Sequence, residues 1–150
     1  MGKVVIVEPM KCTGCLSCMI ACSTINEGIG DLNISRIKVT PFWNEAFFVP
    51  RVCQQCDTPY CALVCPVNAL NKDLKTGVVK VEKNKCVGCK MCLMGCPFGN
   101  MTFVGSTSAK CDSCGGDPVC VKVCCWGALE YGDADEIGTA RRLDIAERQL

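Results

Sequence analysis

The chain has 150 residues, enough for one ordinary domain or two very small ones, and its 17 cysteines mark a disulfide or metal scaffold. The formal charge of +1 counts every thiol as neutral, so thiolate ligands would make the chain acidic and leave no case for a nucleic-acid partner, and the absence of histidine removes the commonest general base and the commonest zinc co-ligand. The odd cysteine count, and an N-terminus (MGKVVIVEPMKC) with no apolar leader core or twin arginine, argue against a closed disulfide framework. Metal binding in a reducing cytoplasm is the expectation, and no apolar run is long enough to span a membrane directly.

In chain order, residues 4–8 (VVIVE) read as a short strand entering the first cysteine group, Cys12, Cys15, Cys18 and Cys22. Residues 19–28 read as a short helix holding the last of these. Residues 34–49 (ISRIKVTPFWNEAFFV) read as a β-hairpin turning near residues 41–45. The second group is Cys53, Cys56, Cys61 and Cys65, followed by Pro66. Residues 70–77 are polar turn material, and residues 78–82 (VVKVE) a second strand. The third group is Cys86, Cys89, Cys92 and Cys96 with Pro97, its fourth cysteine held on a short helix predicted over residues 93–100. The fourth is Cys111, Cys114, Cys120 and Cys124, and from residue 130 the chain becomes a charged tail, helical from Ile137.

Groups one and three are spaced C-x2-C-x2-C-x3-C, the bacterial ferredoxin run for [4Fe–4S] clusters. In that run, three close thiolates hold one cluster and the fourth cysteine reaches a neighbouring one. Groups two and four widen the middle gap around Pro59 or Pro118 and keep the closing C-x3-C. An internal duplication underlies the layout. VVIVEPMKCTGCLSCMIAC from Val4 aligns without a gap on VVKVEKNKCVGCKMCLMGC from Val78, sharing Gly14/Gly88, Lys11/Lys85 and every cysteine. CALVCPVNAL from Cys61 aligns on CVKVCCWGAL from Cys120, which puts Cys124 over Cys65 and Cys125 over Pro66. Cys125 is therefore the cysteine left over, read as a small buried hydrophobe in a proline's slot rather than a reactive thiol.

Zinc is the alternative metal, but zinc modules place two C-x2-C knuckles far apart rather than three cysteines within seven residues. A metallothionein-like coil is excluded by the strand runs and aromatic residues. Gly14 and Gly88 are read as relieving crowding around cluster sulfurs, and Lys11 and Lys85 as solvated. Trp43, Phe47 and Phe48 are read as buried under the hairpin, with a partner-docking patch as the alternative. Arg141, Arg142, Asp144 and Glu147 are read as a solvated helix face.

Four groups in this order, with the widened second and fourth, resemble the four-cluster electron-transfer subunits of molybdenum and tungsten oxidoreductases. That family includes the B-type subunit of dimethyl sulfoxide reductase, and the match runs over nearly all of residues 4–129, including CPFGN (Cys96 onward) and AKCDSC (Ala109 onward). The brevity of the chain is similar to the small iron–sulfur subunit of tungsten aldehyde oxidoreductase complexes. The resemblance implies an α+β fold of two ferredoxin-like modules related by a pseudo-twofold axis, with a short hairpin insertion and a C-terminal helical tail. Module A would take groups two and three, module B groups one and four, within a domain of residues 1–129 and a tail of 130–150.

The resemblance also implies the ligand sets of four [4Fe–4S] clusters. The first would use Cys12, Cys15, Cys18 and Cys124, and the second Cys22, Cys111, Cys114 and Cys120. The third would use Cys65, Cys86, Cys89 and Cys92, and the fourth Cys53, Cys56, Cys61 and Cys96. Family members often carry proline after the fourth cysteine of a group, where this chain has Ser23 and Cys125. Four such sites, each with roughly two net negative charges, take the chain from +1 to about −7. The implied role is a non-catalytic relay between a large catalytic subunit, a molybdenum or tungsten pterin enzyme, and a further electron-transfer partner. A free-standing diffusible polyferredoxin is the alternative.

Overall fold

Five α-helices and eight short strands, paired as four antiparallel ribbons, carry the chain in a computed structural model that describes residues 2–148. Strand β1 (Lys3–Val7) pairs with β8 (Leu129–Asp133), and β4 (Leu70–Lys72) pairs with β5 (Val79–Val81). Helix α1 (Ser17–Glu27) packs on α4 (Val119–Lys122), and α2 (Tyr60–Leu63) packs on α3 (Met91–Met94). The ribbons and helix pairs thus join group one to group four and group two to group three.

The two halves repeat in register. Val5 faces Tyr131 and Val7 faces Leu129, while the aligned Val79 faces Lys72 and Val81 faces Leu70. The Glu8 amide donates to the Ala128 carbonyl at 2.8 Å, and the Glu82 amide to the Ala69 carbonyl at the same distance. The residue before each duplicated helix, Leu16 or Lys90, takes the left-handed conformation at φ 62° and 63°. Non-glycine residues adopt that conformation only when their surroundings impose it. Its recurrence shows that the cysteine loops dictate the backbone.

Two small cores result. One gathers Val5, Met19, Ile37, Val52 and Leu129 around Cys18, Cys22, Cys53, Cys111 and Cys120. The other gathers Leu70, Val79 and Met101 around Cys61 and Cys92. Val5 and Val79 are buried, as are the adjacent Val4 and Val78, and few large aliphatic side chains are available to either core. Cysteine sulfurs occupy the positions that larger hydrophobic residues take in ordinary domains of this size.

Several sequence expectations shift. The helix expected over residues 93–100 is instead α3, which ends at Met94, so Cys96 lies in the turn beyond it. Pro97 has no amide to donate and pushes the residue before it out of helical conformation, which stops the helix there. Residues 70–72, read as turn, form β4 because their backbone pairs with β5. Residues 130–133, read as tail, complete β8. Helix α5 (Ala134–Glu147) begins three residues before Ile137, because the Asp133 carboxylate accepts from the Asp135 amide at 2.9 Å and caps it. Residues 149–150 of the expected tail lie outside the described residues.

The hairpin is β2 (Lys38–Phe42) and β3 (Phe47–Arg51), joined by a tight turn at Trp43–Glu45. Trp43 is 76% exposed at its tip, against the expectation of burial, because a two-stranded ribbon that projects beyond its core leaves its turn in solvent. Its ring meets Phe48 edge-on with centroids 5.7 Å apart. Phe48 in turn lies on Gly14 of the first cysteine loop, where an added Cβ would collide with the ring. A Cβ on Gly88 would collide with the Ser106 carbonyl oxygen, and both glycines are left-handed. Each glycine therefore admits a neighbouring segment onto its cysteine loop, in addition to the crowding read from the sequence.

Candidate metal centres

Each cysteine loop follows a strand and precedes a short helix, so its sulfurs converge where the backbone turns. A small apolar cavity is lined by Cys12, Cys15, Cys18 and Cys124 together with Trp126, Pro50 and Leu129. A second of the same kind is lined by Cys53, Cys56, Cys61 and Cys96. In both, three cysteines come from one group and the fourth from a group that is distant in sequence.

The remaining sulfurs are grouped through electrostatics and burial. Burial pushes the Cys120 thiol upward, and negative charge on Cys111, Cys22, Cys114 and Cys18 pushes it further. Cys114, raised mainly by burial, also lies in the field of Cys22. These fields put Cys22, Cys111, Cys114 and Cys120 within reach of one another, with Cys18 and Cys53 also close by. Cys92 is raised by burial, with Cys86 adding to the shift. Cys92 lies in the smaller core with Cys65 against it, whereas Cys89 is exposed.

Without metal, Cys18 and Cys111 resist ionisation. Cys18 is pushed up to about 12 by burial and by Cys12, Cys15 and Cys124. Cys111 is pushed to about 12, mainly by burial. Thiolates at these positions require a cation to compensate their loss of solvent. At the rims the shift reverses: hydrogen bonding from Ser17 lowers Cys15, and hydrogen bonding from Ser108 lowers Cys86.

Several donors already point at sulfur. Backbone amides of Ala69, Asn100, Ser113 and Ser108 donate to Cys65, Cys96, Cys111 and Cys86 at 3.2–3.4 Å. Among the described residues, two buried side-chain polar atoms have no hydrogen-bond partner, Arg36 Nε and Ser113 Oγ. Ser113 stands between Cys111 and Cys114, and the Arg36 guanidinium is paired with Asp112 (3.3 Å) and Glu27 (3.3 Å). Orphaned donors of this kind are costly unless something polar meets them. Acceptor sulfides bound among Cys22, Cys111, Cys114 and Cys120 would meet them. Among the described residues, no three Cys, Asp or Glu side chains converge tightly enough for a single metal ion. Thiolates spread around a multi-iron core need no such convergence. On donor chemistry, cavities and orphan donors, the residues fit iron–sulfur clusters better than zinc.

Cys125 is exposed rather than buried. It occupies the turn after α4, where its aligned counterpart Pro66 is exposed as well. Sequence reading also missed Gln55 and Lys110, which are 6% and 3% exposed. Lys110 Nζ donates to Gln55 Oε1 (3.2 Å), the Val79 carbonyl (3.3 Å) and the Cys111 carbonyl (3.5 Å). Gln55 Nε2 donates to the Cys111 carbonyl at 2.7 Å, and the Val79 amide donates to Gln55 Oε1 at 3.0 Å. The position of Lys110 immediately before Cys111 was the available signal. Nothing in the spacing distinguished it from the solvated Lys11 and Lys85, which hold the same place before groups one and three.

Comparison with known proteins adds a family. A family model described as a 4Fe–4S dicluster domain matches residues 44–134. The chain is 41% identical over 128 residues to the NADH-dependent phenylglyoxylate dehydrogenase subunit beta of Aromatoleum evansii, covering 83% of this chain and 29% of that protein. It is 39% identical over 123 residues to the aliphatic sulfonate oxidoreductase polyferredoxin-like subunit of Pyrococcus furiosus, covering 80% and 70%. With the B subunit of the anaerobic dimethyl sulfoxide reductase of Escherichia coli it shares 30% identity over 151 residues, covering 87% and 73%. The chain thus spans under a third of the first relative and most of the other two.

Proposed function

This chain belongs to the 4Fe–4S dicluster family, and from that premise we propose that it relays single electrons as a subunit of a larger oxidoreductase. The observation that carries the reading is the convergence of Cys12, Cys15 and Cys18 with Cys124, and of Cys53, Cys56 and Cys61 with Cys96, each in its own cavity. That crossing of fourth cysteines is what a pair of two-cluster modules requires.

The proposed ligand sets are the two cavities together with Cys22, Cys111, Cys114, Cys120 and with Cys65, Cys86, Cys89, Cys92. The repeated strand register supports two modules related by a pseudo-twofold axis within residues 1–129, although β8 runs past that boundary. A [4Fe–4S] cluster held by four thiolates supplies one-electron transfer and has no open iron position for substrate. The chain's part is to seat the sulfurs, exclude water and donate amides to them.

Cross-couplings give the sites an order. Cys120 lies in the field of Cys18, and Cys111 in the field of Cys53. Cys61 and Cys92 share the smaller core, and on the proposed sets the row runs from the Cys12 cavity, through the site of Cys22 and Cys111, to the Cys53 cavity and on to the site of Cys86. The two outer sites stand at opposite ends of the row, as a conduit between two partners requires. One partner would be a large catalytic subunit of the molybdenum or tungsten pterin type, the other a further electron carrier, in the cytoplasm. The relatives' names, which are those of oxidoreductase subunits, support a complex rather than a diffusible polyferredoxin.

The test is purification of the native protein with metal and sulfide analysis. About sixteen irons and as many acid-labile sulfides per chain, together with a co-purifying large subunit, are expected. About four metal ions without sulfide would overturn the cluster reading. A fully loaded monomer with no stable partner would overturn the subunit reading.

A further inference from the structure

Lys110 is the sole charged side chain among the buried polar residues described. Its ammonium donates to three neutral acceptors, one for each of its hydrogens, which is the arrangement of a protonated amine rather than a neutral one. No carboxylate pairs with it among the described residues, in contrast to Arg36, whose charge is met by Glu27 and Asp112. A cation buried without a counter-charge is strongly unfavourable. Negative charge must therefore stand nearby when the protein is complete, and Lys110 lines the cavity of Cys53, Cys56, Cys61 and Cys96. The Cys111 carbonyl it holds belongs to a ligand of the adjacent site in the row.

We propose that Lys110 is the counter-cation of the cluster held by Cys53, Cys56, Cys61 and Cys96, and that its charge raises the reduction potential of that site. Reduction adds one negative charge to an already anionic site, and a fixed cation beside it stabilises the reduced state over the oxidised one. Gln55 sets the position of that cation. Its Oε1 accepts from both Lys110 and the Val79 amide, while its Nε2 ties the group-two loop to Cys111. The two inner sites of the row thus share one buried positive charge, and neither outer site has an equivalent among the described residues.

The inference rests on the four-site reading above, so iron and sulfide content is measured first on every variant. The experiment is potentiometric titration of the purified holoprotein, followed by electron paramagnetic resonance, for the wild type, Lys110→Gln, Lys110→Arg and Gln55→Glu. Lys110→Gln keeps a donor and removes the charge. Gln55→Glu keeps the lysine and neutralises its field. Both should shift one midpoint downward by at least a tenfold change in the oxidised-to-reduced ratio, about 59 mV for one electron, with a smaller shift at the adjacent site. Lys110→Arg should restore the wild-type value. Unchanged midpoints in fully loaded Lys110→Gln and Gln55→Glu would overturn the proposal. So would loss of iron from all three variants, which would make the clasp purely structural. A wild type with far fewer than about sixteen irons would instead overturn the four-site reading itself.

Discussion

At the residue scale, adjacent cysteines in CVKVCCWGAL have opposite fates. Cys124 lines the first cavity beside Cys18, and Cys125 points outward. Cys125→Ser should keep the full iron content, while Cys124→Ser should lose about a quarter of it or alter one spectroscopic signal. Equal loss in both would overturn the register. The glycines differ by what they admit. Gly88→Ala would meet a backbone carbonyl as well as a left-handed φ of 69°, and should cost roughly 2–4 kcal/mol in the holoprotein's thermal stability. Gly14→Ala meets the Phe48 ring, which can shift, and should cost less. The cysteine groups were legible because iron–sulfur ligation imposes a rigid spacing on the chain. Lys110 was not, since a lysine before a cysteine looks the same in sequence whether it is solvated or buried.

At the scale of elements, duplicated segments were the most readable, because periodicity and repeat agree on β1, β5 and α1. The three-residue strand β4 was not legible. A stretch as polar as Leu-Asn-Lys becomes a strand only through its partner β5. The exposure of Trp43 was missed for a similar reason: aromatic content marks a hairpin but not which part of it clears the core. Helix α5 touches the rest of the molecule along β8 and β1. Arg141 donates to the Val7 carbonyl at 3.3 Å and lies 3.6 Å from Glu8. A pair this exposed is worth little. A chain ending at Asp133 should hold its full iron and melt only about 3 °C lower. Loss of iron on that truncation would assign α5 a role in site assembly.

For the molecule as a whole, stability and cofactor are one property. Both cores are built around cysteines, and ordinary burial of the few aliphatic residues, about 1.5–3 kcal/mol each, cannot offset the ordering of so many loops. Removing iron with acid or a chelator should abolish the far-ultraviolet signature of structure rather than leave a folded shell. A folded apo-chain by circular dichroism would sink that expectation. Uptake should release protons, because Cys18 and Cys111 are neutral thiols near pH 7 until metal binds them. Reconstitution should therefore weaken as pH falls, which iron content after refolding at a series of pH values would show.

The β1–β8 ribbon has a consequence for synthesis. It ties residues 3–7 to residues 129–133, and the Cys12 cavity needs Cys124 to close it. A ribosome delivers Cys53 through Cys96 long before Cys124. On the proposed ligand sets, the half built from groups two and three has all its cysteines while translation continues, whereas the half built from groups one and four must wait. A nonsense codon between Cys96 and Cys111 would leave a stub with the cysteines of two proposed sites, half a wire with one terminus missing.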